Sequence, residues 1–419
     1  GFNIMANAFN NNKAAPGIIA KLAAGMLEDQ LQFCKSIDKA DESDYGGKNG
    51  YSAGDTIYVS KPARFIPGTT ADITSTVQDV VEEKVALALD IRKVVAVSLT
   101  SAELATDFAL KAWANRILKP AVSSMAQYIE QTMLERATDA TYNTVGTAGS
   151  TVFDTDTMLS AGQKLDEFLA PMSDDRFALL NPAANRSAVN ARKGLFQSSE
   201  EISKQYKKGV IGIADGFTYL HNNLLSPHAN GIDVTGIAVE ASVVPITNGM
   251  ATLGVDGVAS GATITKGTVF TIAGVNAVHP ITKQNLGYLQ QFVVTANVTE
   301  TAGNSVTLAI SPSIFYTTTD PRRNVTDAPV DETGTLVFVG PATTSYTQNL
   351  AFVSSAFRMA SVPLVMPDGL DMAAQETYKG ITVRVIRDYN VLTDQLIMRL
   401  DFLGGIAPVR PEWACRITA

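Results

Sequence analysis

The sequence predicts an α+β fold that carries a separate, small all-β domain. Three observations lead there. Long amphipathic helical patterns stand beside strand patterns of unusual length in the first third of the chain. Between Ile232 and Thr319 only 6 residues of 88 are charged, whereas charged residues make up 18% of the whole. After that stretch the mixed pattern resumes, so the charge-poor region reads as an insertion into an α/β framework.

At 419 residues and 46% hydrophobic content, the chain can build two or three domains and bury a large core. The net charge of −8 argues against a basic nucleic-acid-binding face, and would suit a protein that lies near DNA without sticking to it. Two cysteines, Cys34 and Cys415, are too few for a disulfide framework and read as reduced, partly buried thiols. No apolar run approaches the roughly 18 residues that span a bilayer, and no basic start precedes an apolar stretch as in a secretory leader. Met5-Ala6-Asn7-Ala8 reads as the natural start.

The elements follow in order. Residues 5–50 read as an extended arm with one amphipathic helix, Ile18 to Phe33, closed by the flexible run Asp41-Glu42-Ser43-Asp44-Tyr45-Gly46-Gly47. Asp55 to Lys61 is a strand. Val85 to Leu99 alternates throughout, with Val85, Leu87, Leu89, Ile91, Val95, Val97 and Leu99 on one face. Such a strand, at about 3.3 Å per residue, would reach roughly 50 Å and leave the core as a β-arm or bend. Residues 100–138 read as one long helix. Thr100 and Glu103 fit a capping box, and Leu104, Phe108, Trp113, Ile117, Val122, Met125, Ile129 and Met133 form its apolar stripe. Pro120 should kink or split it.

Asp156 to Leu169 is a second amphipathic helix. Phe177 to Asn181 is a buried strand, Asn181-Pro182 starts a helix running to about Gly194, and Val210 to Leu220 is strand-like. The charge-poor region then offers short alternating runs, among them Thr268 to Ile272, Gln291 to Ala296 and Val306 to Ile310, separated by turn residues. Past it, "QNLAFVSSAFRMASVPL" (Gln348 to Leu364) has apolar residues at helical spacing and one arginine. Ile381 to Val385, Leu396 to Phe402 and Trp413 to Ile417 alternate as an antiparallel sheet at the chain's end.

Chemistry is hard to find. His221 and His228 are separated by Asn222-Asn223 and Pro227, which break any shared helix face, and His279 stands alone, so no metal set emerges. Asp154-Thr155-Asp156 lacks the rest of a calcium loop and reads as a helix N-terminus. Gly46-Gly47-Lys48-Asn49 has no hydroxyl residue after the lysine, and no Gly-x-Ser-x-Gly elbow occurs. The expectation is a non-enzyme with no catalytic residues, no metal site and no cofactor.

The segment "NLAFVSSAFRMASVPL" resembles the one that follows the inserted domain in tailed-bacteriophage major capsid proteins. "FALLNPAANRSAV" (Phe177 to Val189) resembles a strand–Asn-Pro–helix step of their axial domain. "GIADGFTYLHNNLL" (Gly212 to Leu225) is similar to a strand leading to paired asparagines. "GTVFTIAGVNAVHPITKQNLGYLQQFVV" (Gly267 to Val294) resembles part of the β-domain inserted in some short-tailed phage coat proteins. The order of these segments covers nearly the whole chain. The resemblance implies the Hong Kong 97 type capsid fold: an N-terminal arm (1–45), an extended β-loop (46–99), a spine helix (100–140), an axial domain (141–230 and 341–379) around an inserted all-β domain (231–340), and peripheral strands (380–419). Gln348 to Leu364 would be an axial-domain helix. The implied partners are other copies in hexamers and pentamers, a scaffolding protein and a portal, around genomic DNA held without sequence-specific binding. The implied place is a virion capsid assembled in the host bacterial cytoplasm, with no membrane.

Lys61, Arg64, Arg92, Lys207, Lys208, Arg322 and Arg323 are the candidate assembly contacts. Two alternatives stay open. One is a nanocompartment shell of the same fold, against which the β-insert argues. The other is a β-domain-bearing hydrolase or glycan-binding protein.

Overall fold

The computed structural model describes residues 16–40, 51–65, 77, 80, 82–100, 114–149, 154–173, 175–191, 211–231, 236–301, 303–340, 342, 345–366, 373–390, 392–393 and 395–418. The linker at Asp41, the capping partner Glu103 and the contacts Lys207 and Lys208 lie outside them. The chain divides into two compact units, one of residues 1–59, 84–134 and 357–407, the other of residues 60–83, 135–356 and 408–419.

In the first unit, helix Pro16–Gln30 packs on the strands Ala373–Tyr378 and Ile381–Asn390. It buries Ile19, Ala23, Ala24 and Leu27, while Ile18 and Leu22 face outward. These strands continue through Gln395–Pro408 to Phe357–Ser361 and Asp38–Lys39, and Ile91–Thr100 also pairs with Gln395–Pro408. The expected 15-residue strand is therefore two, Glu83–Ala88 and Ile91–Thr100. Leu89 leaves the first ladder and exchanges backbone hydrogen bonds with Gly54 (2.9 Å) and Asp55 (2.8 Å). Its alternation survives the break, with Leu87, Leu89 and Ile91 all buried.

Within the described residues the long helix runs Lys119–Ala140, behind a π-helical turn Ala114–Leu118. Pro120 sits at that joint, where its missing N–H and its ring disturb α-helical register. Val122, Met125, Ile129 and Met133 are buried, as the stripe requires, but in the π-helical turn Leu118 is buried in place of the expected Ile117, which is only partly covered. Glu130 on the same helix accepts from the Gln32 (2.7 Å) and Phe33 (3.1 Å) amides, satisfying the first N–H groups of the short turn Phe33–Ser36.

In the second unit a six-stranded sheet has the order Thr144–Gly146, Ala414–Thr418, Gln348–Val353, Arg176–Leu180, Phe217–His221, Ile213–Ala214. The segment expected to be a helix, Gln348 to Leu364, is a strand Gln348–Val353, a 3-10 turn, and a second strand Phe357–Ser361. Every residue of Gln348–Val353 is buried. A strand covered on both faces has a continuous apolar run, and such a run satisfies helical spacing as readily as strand spacing. The pairing also regroups the C-terminal third. Phe357–Ser361 and Ala373–Tyr378 join the sheet of Gln395–Pro408, and Ala414–Thr418 leaves that sheet for Gln348–Val353. Residues 341–379 therefore do not stay together, and residues 380–419 do not form one sheet.

Helix Thr155–Glu167 covers the second unit's sheet through Met158, Ala161 and Leu165. Asp154 is its N-cap, accepting from the Thr157 N–H (2.9 Å) and hydroxyl (2.6 Å). Those hydrogen bonds hold its carboxyl below the usual range. Asp154→Ala is expected to cost about 1 kcal/mol, read as a shift of the urea unfolding midpoint, with Asp154→Ser recovering most of it. Asn181 caps Pro182–Ala191 in the same way, through Ala184 N–H (2.6 Å). The strand-like stretch after Val210 is a hairpin whose two-residue turn, Asp215-Gly216, has positive φ at both positions (54° and 80°), as a primed turn demands.

The charge-poor region folds as an antiparallel sheet in the order Leu336–Phe338, Val269–Val278, Asn285–Val294, Val306–Ile314, Met250–Asp256, Ala238–Val239. Thr263–Ile264 and Val298–Thr299 form a second, two-stranded pair. Phe270 and Phe292 stack at 5.8 Å in its core, with Phe338 5.6 Å from Phe270. Low charge is what a small domain needs when most of its side chains face inward.

Candidate assembly surface

Four of the seven cations picked out in the sequence come together. Lys61, Arg64, Arg322 and Arg323 line one cleft of about 630 Å³ in the second unit, joined by Arg410. Glu83 and Glu412 share its walls, and Asp320 lines an adjoining pocket of about 320 Å³ that shares Lys61, Arg64, Arg322 and Arg410 with it. Arg92 stands apart, exposed on strand Ile91–Thr100 of the first unit.

The cleft is built by residues distant in sequence. Lys61 ends strand Thr56–Lys61, and Arg64 follows it. Arg322 and Arg323 sit in the loop after strand Val306–Ile314, and Arg410 precedes Ala414–Thr418. Arg64 (3.1 Å) and Arg410 (3.7 Å) share a single carboxylate, Glu412. Arg322 pairs with Asp320 at 3.1 Å and with Glu83 at 3.8 Å. Its guanidinium lies 4.3 Å from the Phe315 ring centroid, and that of Arg410 lies 4.5 Å from Trp413. At those distances each cation is attracted to the ring beside it. Arg323 is spent on its own loop, donating to Val325 O (3.0 Å) and Thr326 O (2.7 Å). Lys61 has no ion-pair or hydrogen-bond partner among the described residues.

No local sequence signal marks Arg410, Glu412 or Asp320 for this role. Glu412 lies 348 positions from Arg64, and no local pattern links them. Neither histidine nor cysteine is among the residues lining the cleft. Among the described residues no group of three or more His, Cys, Asp or Glu is placed to hold a metal ion, and no helix is long and apolar enough to cross a membrane.

A second cluster anchors the inserted sheet. Asn230 donates to Val339 O (2.9 Å) and Gly340 O (3.1 Å), tying the chain that enters the insert to the chain that leaves it. His228 and Tyr346 exchange backbone hydrogen bonds at 2.9 Å just outside. The Gln291 side chain pairs with the backbone of Thr144, accepting at 2.9 Å and donating at 3.0 Å. Arg416, fully buried on the terminal strand, donates to Gly267 O (2.6 Å) and Asp139 O (3.1 Å). At Gly267 the approach is so close that a Cβ would fall 2.7 Å from Asp139 Oδ1.

His228 lies in the same cluster, its ring 5.7 Å from that of Tyr346. Burial and the neighbouring Arg416 push its pKa down to about 4, from an ordinary 6.5. The folded protein thus holds it neutral while the unfolded chain protonates it. Its contribution is whole above about pH 6.5 and is lost as pH falls toward 4, about 3 kcal/mol in all. Asp139, beside Lys266 (3.3 Å), works in the opposite sense, because burial raises its pKa and its protonation favours the folded state. Tyr346, Thr268 and Asn230 complete the surroundings. His228→Gln is expected to flatten the loss of stability between pH 7 and 5 in urea titrations. A variant with the wild-type slope would refute this account.

The two-unit α+β chain with its inserted β-domain is, by its family match, a coat protein. The chain belongs to the P22 coat protein family, described as P22 coat protein, gene protein 5, which matches residues 27–416. It is a major capsid protein of the bacteriophage virion, with the Hong Kong 97 type fold. Among solved structures it is similar to a chain of Mycobacterium phage Che8, with 11% identity, 92% of this chain and 90% of that one covered, and a TM-score of 0.47. It is also similar to the capsid of Ralstonia phage GP4, with 8% identity, 92% and 87% covered, and a TM-score of 0.45. A virus-like particle from Pyrococcus furiosus is matched with 7% identity, 95% and 97% covered, and a TM-score of 0.39. No curated protein matches the sequence.

Proposed function

We propose that this coat protein assembles as hexamers and pentamers of an icosahedral head that encloses double-stranded DNA. It does so in the host bacterial cytoplasm, with a scaffolding protein and a portal as partners, and it has no enzymatic role of its own. The family match over residues 27–416 carries this reading. The net charge of −8 supports it, because an acidic chain adheres less to packaged DNA. In this reading residues 1–45 are the arm, 46–99 the extended loop, 100–140 the spine helix and 231–340 the insert. The axial domain takes residues 141–230 together with the strands Gln348–Val353 and Ala414–Thr418, which share its sheet. The peripheral domain takes the strands from Phe357 to Pro408. Lys61, Arg64, Arg92, Lys207, Lys208, Arg322 and Arg323 are its proposed contacts. Many modest contacts, repeated over a closed shell, add up to a stable particle.

The test is sedimentation velocity on the purified protein, with and without candidate scaffold, and electron microscopy of the fast fraction. Closed shells of megadalton mass are expected. Nucleic acid inside particles from infected cells separates a phage head from a nanocompartment. A chain that stays monomeric with scaffold and binds glycan would overturn the proposal.

A further inference from the structure

We propose that the cleft between Lys61, Arg64, Arg322 and Arg410 is a receptor for an acidic segment of a second copy of this chain. The inference rests on the shell-forming reading and names the partner of that surface. Five cations face three carboxylates there, an excess of two in a chain whose net charge is −8. Acidic copies repel one another unless a basic site on one meets carboxylates on the next. Inside the cleft the charges are not balanced in pairs. Glu412 serves two guanidiniums at once, and Lys61 serves none of the carboxylates. An incoming carboxylate would meet Arg64 and Arg410, each using a single donor nitrogen on Glu412, with Lys61 beside them.

Two further features support a built receptor rather than scattered surface charge. Arg322 and Arg410 already rest against the rings of Phe315 and Trp413 (4.3 and 4.5 Å), so less side-chain freedom is lost when they bind. Lys283, whose ammonium donates to Arg323 O (2.9 Å), has its pKa pushed down to about 8 by burial and by the nearby Arg64. Positive charge is thus crowded at this place in the isolated subunit, and a bound carboxylate would relieve it. The densest acidic run in the sequence is Asp41-Glu42-Ser43-Asp44, and it is the segment assigned to the cleft.

The experiment compares assembly of the full chain by light scattering and sedimentation. Lys61→Glu is expected to slow assembly at least tenfold and Lys61→Gln to slow it less, with wild-type unfolding midpoints in both. Asp41→Lys, Glu42→Lys and Asp44→Lys, combined with Lys61→Glu, should restore assembly. Lys61→Cys with Ser43→Cys should give a ladder of disulfide-linked oligomers from oxidised particles, since Cys34 and Cys415 are buried. Wild-type speed in Lys61→Glu, failure of the lysine substitutions to rescue, or a cross-link confined to monomers would each overturn the proposal. Wild-type assembly in the same runs tests the shell-forming reading by itself. If wild type made no particles, that reading and this one would both fall, whereas normal wild-type particles with indifferent variants would remove only the receptor.

Discussion

Asp401→Ala should destabilise the first unit by about 3–5 kcal/mol, because it strands a buried guanidinium. Asp401 is 0% exposed and the Arg384 side chain 8%. The Arg384 guanidinium donates twice to Asp401 Oδ2, from Nε at 3.1 Å and again from Nη2, and it also reaches the Val365 carbonyl. Arg399 approaches the other oxygen at 2.8 Å, but it is 40% exposed and can turn to water. Arg384 cannot, since it lies between sheet neighbours Val383, Val385 and Leu400, all fully buried. The residues pair directly across the ladder of Ile381–Asn390 and Gln395–Pro408. Replacing both, as Arg384→Met with Asp401→Leu, removes the stranded charge together with its partner. That double variant is expected within about 1–2 kcal/mol of wild type. Urea unfolding of the two variants decides the matter. A double variant as damaged as Asp401→Ala would mean that packing, not charge pairing, holds this sheet.

How far such features could be read beforehand depends on whether their cause is local. Asp154 and Asn181 at helix starts, Pro182 after Asn181 and the stripe from Val122 to Met133 each follow from neighbours a few positions away, whereas the turn at Asp215-Gly216 splits a stretch that reads as one strand. The inserted β-domain was legible because charge is sparse from Ile232 to Thr319, although its strand Leu336–Phe338 follows a charged loop. Three further features were not legible. Gln348 to Leu364 reads as a helix until its two covering layers are known. Ala414–Thr418 alternates like the strands before it, and nothing in five residues tells which sheet it will join. Arg384 and Asp401 occupy positions that alternation would turn outward, yet the second face of the sheet is covered as well. The cleft was half legible. Lys61, Arg64, Arg322 and Arg323 stand out as cations, but their meeting depends on long-range topology.

Arg416→Leu is expected to cost about 3–5 kcal/mol, and its effect should be localised. The side chain is 1% exposed, and burial lowers its pKa to about 10, so it stays charged at neutral pH. Its two donors satisfy carbonyls from separate elements, Gly267 at the edge of the insert and Asp139 in the last turn of the long helix. Leucine would fill part of the volume but leave both carbonyls buried without a donor, at about 1–3 kcal/mol each. The insert's own core, centred on Phe270 and Phe292, does not touch the substitution and should persist. Hydrogen exchange separates these effects. Amides of strand Asn285–Val294 should keep their protection in Arg416→Leu, while that of Thr144, bonded to Gln291, should exchange faster. Arg416→Lys retains the charge with a single donor centre and should fall between the two. If all amides lost protection together, the insert would be folding only with the rest of its unit, and Arg416 would be one core residue among many. If only the junction loosened, Arg416 would be the anchor that turns an independent β-domain into a fixed part of the coat subunit.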